Sequence, residues 1–114
     1  MNAPNPAHNA RVMARRKLFR KLLGHYLNEL RVRMGLSQLE LAVRACVSRT
    51  QIHKTERGLS NEGIDTVQSI CEALHVSFGE VISHVEYLMD HPEFRPLRKL
   101  LHLVPRRKAA CAFE

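Results

Sequence analysis

Ser37-Gln-Leu-Glu40, Ser48-Arg-Thr-Gln51 and Ser77-Phe-Gly-Glu80 repeat one spacing, a serine followed three residues later by Glu or Gln. This is the capping box: the serine hydroxyl accepts from the backbone N–H three residues on, and the Glu or Gln side chain reaches back to the serine N–H. Each box is framed by the apolar pair that staples the start of a helix, Leu36 with Leu41, Val47 with Ile52, and Val76 with Val81. Helices therefore begin near residues 37, 48 and 77. The helix from Ser37 must end before Ser48, leaving Cys46 and Val47 to turn the chain. Two short helices joined so tightly cross at roughly 90–120°, the geometry of a helix-turn-helix.

The rest of the chain fits around these starts. Leu18/Phe19, Leu22/Leu23, Tyr26/Leu27, Leu30 and Met34 recur at intervals of three and four, one apolar stripe on a helix of about five turns. Order is expected from about Met13, and Gly35 is the stop. Ile64, Val67, Ile70, Cys71 and Leu74 give another helix after Gly63, and Gly58 ends the helix from Ser48. His91-Pro92 breaks the helix from Ser77, and Pro96 to Val104 reads as a short helix before a basic tail. The expected organisation is a disordered basic arm over residues 1–17, a helical domain over 18–84 and a helical extension with basic tail over 85–114.

With 114 residues the chain buries roughly 65% of its unfolded surface, enough for one core. Five Gly and five Pro speak against a β-rich fold. The net charge of +7 is unevenly placed: residues 1–20 carry Arg11, Arg15, Arg16, Lys17 and Arg20 without an acid, whereas bases and acids balance over 21–80. A basic flank beside a neutral folded unit suits a polyanion.

Cys46, Cys71 and Cys111 are odd in number and widely spaced, so neither a disulfide framework nor a zinc knuckle is expected. The seven histidines show no metal-ligand spacing, no nucleophile–base pair points to catalysis, and no cofactor is expected. No apolar stretch approaches the ~18 residues of a membrane span, and residues 1–10 lack the apolar region of a signal peptide; a cytoplasmic protein is expected.

Gly24–Ile82 resembles the lambda-repressor and Cro-like helix-turn-helix family, also called the xenobiotic-response-element family. The resemblance rests on Leu23-Gly24, Leu27 to Arg31, Gly35-Leu36-Ser37-Gln38, Leu41-Ala42, Val47-Ser48 with Ile52, Glu56-Arg57-Gly58, Ile70 to Leu74, Val76-Ser77 and Val81-Ile82. It implies an all-α, five-helix DNA-binding domain with its third helix in the major groove, and an interior ion pair between Arg31 and Glu56. Two positions depart from the family: Cys46 stands where Gly is usual, and Thr55 where a large apolar residue is usual.

On the helix from Ser48, Ile52 faces inward with Val47, leaving Arg49, Thr50, Gln51, His53 and Lys54 outward. Base contacts are expected from Arg49, Thr50, His53 and Lys54, since a bidentate Arg reads guanine O6/N7 and a Thr methyl or hydroxyl suits thymine or phosphate. Phosphate contacts are expected from Gln38, Gln51, Arg57, Arg15, Arg16 and Lys17. The expected function is a transcriptional regulator, a repressor, binding double-stranded DNA as a homodimer on a two-fold operator. Its dimer surface would be Val85, Leu88, Met89, Leu97, Leu100, Leu101 and Leu103, unless these residues cover the domain's own first helix. The alternative is an antitoxin, whose apolar C-terminal segment binds a protein toxin and whose DNA binding is autoregulatory.

Overall fold

The computed structural model describes residues 5–59 and 61–95. They form α1 (Pro6–Arg33), α2 (Gln38–Ala45), α3 (Arg49–Glu56), α4 (Ile64–Ala73) and α5 (Phe78–Asp90), then a 3-10 turn at Pro92–Phe94, with no strand among the described residues. The boxes at Ser37 and Ser48 are complete. Glu40 N donates to Ser37 Oγ at 3.0 Å while Glu40 Oε1 accepts from Ser37 N at 3.1 Å. Gln51 N donates to Ser48 Oγ at 3.0 Å and Gln51 Oε1 accepts from Ser48 N at 2.9 Å. At Ser77 only the forward half forms, Glu80 N to Ser77 Oγ at 3.3 Å.

Four helix exits share one device. Gly35, Cys46, Gly58 and His75 take the left-handed conformation at φ 70°, 57°, 66° and 57°. In each case the next N–H returns to a carbonyl five residues back: Leu36 to Arg31, Val47 to Ala42, Leu59 to Lys54 and Val76 to Cys71, at 2.9–3.2 Å. This bond closes a Schellman turn. After three of these turns the following serine, Ser37, Ser48 or Ser77, caps the next helix, so chain reversal is set almost wholly by local backbone bonds.

The start of α1 differs from the sequence reading, which places a disordered arm over residues 1–17. The helix begins at Pro6, because Asn5 Oδ1 accepts from Ala7 N at 3.0 Å and Pro6 occupies the first helical position, where a missing N–H costs nothing. An Asn-Pro step that reads as a break is here a start. Its first turns bury no side chain; burial begins with Leu22 and Leu23.

The core joins Leu22, Leu23 and Leu27 of α1 to Leu41 and Ala42 of α2, Ile52 of α3, Ile70 and Cys71 of α4 with Leu74 at its C-cap, and Val81 and Val85 of α5. The nomination of Val85, Leu88 and Met89 as dimer surface does not hold. They are 0%, 6% and 8% exposed and belong to this core, α5 lying against α1 within the chain. The apolar surplus of α5 is used by a first helix longer than the domain alone requires. Leu97, Leu100, Leu101 and Leu103 lie outside the described residues. After His91-Pro92 ends α5, Arg95 closes it, Nε donating to the Leu88 carbonyl at 2.7 Å and Nη2 to that of Met89 at 2.6 Å.

Candidate nucleic-acid interface

The placement of α3 follows from what it buries. Ile52 is 1% and Thr55 5% exposed, and residues three apart lie on one face of a helix. The opposite face then presents Arg49, Thr50, His53 and Lys54, all exposed, with Arg57 exposed just beyond the helix end. The structure brings the four expected base-reading residues onto one continuous surface. Arg44, at the end of α2, is exposed as well.

The acid of α3 is withdrawn from that surface. Glu56 Oε2 accepts from Arg31 Nε at 2.6 Å, and the two side chains are 4% and 2% exposed. Glu56 Oε1 accepts from Arg31 Nη2 at 3.0 Å, Asn28 Nδ2 at 2.8 Å and Gln38 Nε2 at 3.1 Å, while Arg31 Nη1 donates to the Leu36 carbonyl at 2.7 Å. Four donors on one carboxylate satisfy a charge that would otherwise be costly to bury. The network ties α1, the approach to α2 and the end of α3 into one joint. The charged side chains that α3 shows to solvent are consequently positive.

Two of the expected phosphate ligands are already engaged. Gln38 is half-buried with its amide on Glu56, so it links α2 to α3 and has one amide hydrogen to spare. Gln51 uses its carbonyl oxygen in the capping box, which leaves its amide N–H groups outside that bond. The arm also divides. Arg15 and Arg16 line a groove facing Glu86 and Asp90 of α5, away from α3, whereas Lys21 lies against Gly58 at the end of α3. Lys17 is exposed one turn earlier, on the same stripe as Lys21.

Asn28 and Lys21 are the residues the sequence reading missed. Asn28 stands three residues before Arg31, so it shares the face that meets Glu56. Nothing in the sequence places Lys21 beside Gly58 without the α1–α3 crossing. That crossing is close: a Cβ on Gly24 would lie 2.2 Å from the Thr55 carbonyl oxygen and 2.6 Å from that of Glu56.

The model of the helix-turn-helix family matches residues 27–81. Those residues are a helix-turn-helix domain of the lambda-repressor-like family. A search of curated proteins finds no match to the chain. The family match spans the end of α1 through the start of α5, so most of α1 precedes it. Within the helix-turn-helix domain, the usual glycine of the turn is Cys46, held left-handed although it carries a Cβ, and Thr55 fills a buried apolar position with a hydroxyl that has no hydrogen-bond partner. Both departures foreseen from the sequence thus carry a local cost. Among the described residues no group of His, Cys, Asp or Glu is placed to hold a metal ion, and no helix is long and apolar enough to cross a membrane.

Proposed function

We propose that the chain is a sequence-specific transcriptional regulator that represses by occupying a two-fold operator as a homodimer, with α3 of each copy in the major groove. The observation that carries this reading is the chemistry of α3's solvent face, where Arg49, Thr50, His53 and Lys54 stand exposed while Glu56 is turned into the interior. Arg49 supplies the paired donors that read guanine O6/N7, Lys54 reaches guanine or phosphate, His53 offers a second donor to a base edge, and Thr50 suits a thymine methyl or a phosphate. Gln51, Arg57 and Lys17 hold the backbone. One module of this size gives modest affinity, so two copies on half-sites about one helical turn, ~34 Å, apart supply the rest.

The test is selection of bound duplexes from a random pool, repeated with Arg49→Ala and Lys54→Ala. The expected result is a two-fold motif whose positions relax in the variants, each lost bidentate contact costing about 1–3 kcal/mol of discrimination. Recovery of the parent motif by both variants overturns α3 as the reader, and a motif with a single half-site overturns the homodimer. With about six phosphates neutralised, log affinity falls against log salt with a slope of roughly −5.

A further inference from the structure

Arg15 to Phe19 of α1 and the last turns of α5 flank a groove of about 370 Å³ that the DNA reading does not use. Phe19 and Ile82, both half-buried, line its apolar floor with Met89, while Arg15 and Arg16 form the α1 rim and Glu86 and Asp90 the α5 rim. All four rim side chains are exposed, and among the described residues they form no ion pair. The two helices run antiparallel: Tyr26 meets His84 with ring centroids 4.2 Å apart, and Arg15 shares the groove with Asp90. The α1 turns before Arg15 therefore run past the end of α5, and they bury no side chain among the described residues. Helical turns without packing are marginal in water, which calls for a neighbour.

We propose that this groove is the contact surface between two copies of the chain, paired about a two-fold axis along its length. The charge pattern selects both the occupant and the arrangement. Between Pro6 and Lys21, α1 carries six Lys and Arg and no Asp or Glu, whereas α5 carries Glu80, Glu86 and Asp90 and no Lys or Arg. Pairing α1 on α1, or α5 on α5, sets like charges against each other. A two-fold axis along the groove instead lays α1 of each copy over α5 of the other at the same height. Arg15 and Arg16 then meet the partner's Glu86 and the partner's Asp90, and symmetry makes the same contact twice. The two floors close on one another, which takes Phe19 and Ile82 of both copies out of water. Charges left unpaired within one chain are thereby paired between two. This contact is that of the homodimer put forward above, and its place on an operator rests on that reading.

The experiment is sedimentation velocity on the full chain and on two charge-reversed variants. Arg15→Glu/Arg16→Glu makes both rims acidic, and Glu86→Arg/Asp90→Arg makes both basic. The parent is expected to sediment as a dimer, and each variant alone to self-associate more than about tenfold more weakly. An equimolar mixture of the two is expected to regain the dimer mass, because each rim then faces its opposite across the contact. All four side chains are exposed, so both variants should keep the parent's urea midpoint. If a reversal lowers it, the Gln versions of the same pairs replace it, and each is again expected to weaken self-association. A parent dimer that survives both substitutions overturns the groove as the contact and leaves the homodimer standing on another surface. A mixture that stays monomeric overturns the pairing of α1 with the partner's α5. A monomeric parent overturns the homodimer as well and assigns the groove to another occupant. DNA binding is not read here, so the role of α3 stands or falls separately.

Discussion

Cys46 and His75 hold the same left-handed backbone, φ 57°, at the exits of α2 and α4, where Gly35 and Gly58 hold it at the exits of α1 and α3. For a residue with a Cβ that conformation costs about 1–2 kcal/mol, partly offset because glycine loses more freedom on folding. Both side chains are exposed, so no packing is lost on truncation. Cys46→Gly and His75→Gly are each expected to stabilise by about 0.5–1 kcal/mol in urea unfolding, and the pair to add, since they close different turns.

Thr55 Oγ1 is buried without a partner. Replacing it by a methyl of similar shape removes a stranded polar group. Thr55→Val is expected to raise stability by about 1–3 kcal/mol. Affinity for the selected duplex should stay within error, because Thr55 faces away from Arg49 and Lys54. A loss of stability would mean that the hydroxyl has a partner in solution.

Arg31→Ala strands the Glu56 carboxylate and is expected to cost about 3–5 kcal/mol. Asn28→Ala removes one of four donors and should cost about 1–2 kcal/mol. Because both act on Glu56, the double variant should fall short of the sum, which a double-mutant cycle reads directly.

Lys21 sits beside Gly58 at the end of α3, and Arg15 faces α5. Lys21→Ala is expected to reduce the salt slope of DNA binding by about 0.9, one phosphate contact, and Arg15→Ala to leave it nearly unchanged. The opposite ranking would show that the α5 side of α1 meets the duplex.

Burial lowers the pKa of His25 below its ordinary 6.5, against a smaller upward pull from Glu29. The unfolded chain therefore takes up this proton before the folded one does. The stability tied to the neutral ring is complete above about pH 6.5 and is lost as pH falls below it. Urea midpoints of the parent should drop between about pH 7.5 and 5.5, and His25→Gln should reduce that drop.

The helix starts were legible because their chemistry is local: a serine, a return acceptor and an apolar staple lie within six residues of one another. The face of α3 was legible for the same reason, since Ile52 fixes which side is buried. The beginning of α1 was not, because Asn5-Pro6 serves equally as a breaker and as an N-cap with proline at the first position. The fate of Val85, Leu88 and Met89 was undecidable from periodicity, which shows that a face is apolar but not what covers it; only the α1–α5 crossing settles that. Gln38 looked like a free surface ligand because its partner Glu56 lies 18 residues away.

Glu56 is the only carboxylate of α3, and the joint that consumes it therefore sets two properties at once. A substitution that loosens the joint also turns an anion back toward a polyanionic duplex. If α3 meets DNA as proposed, tolerance to heat and grip on the duplex are thereby yoked, so drift at Asn28, Arg31 or Gln38 degrades both together, and improving one at the expense of the other has to begin elsewhere in the molecule.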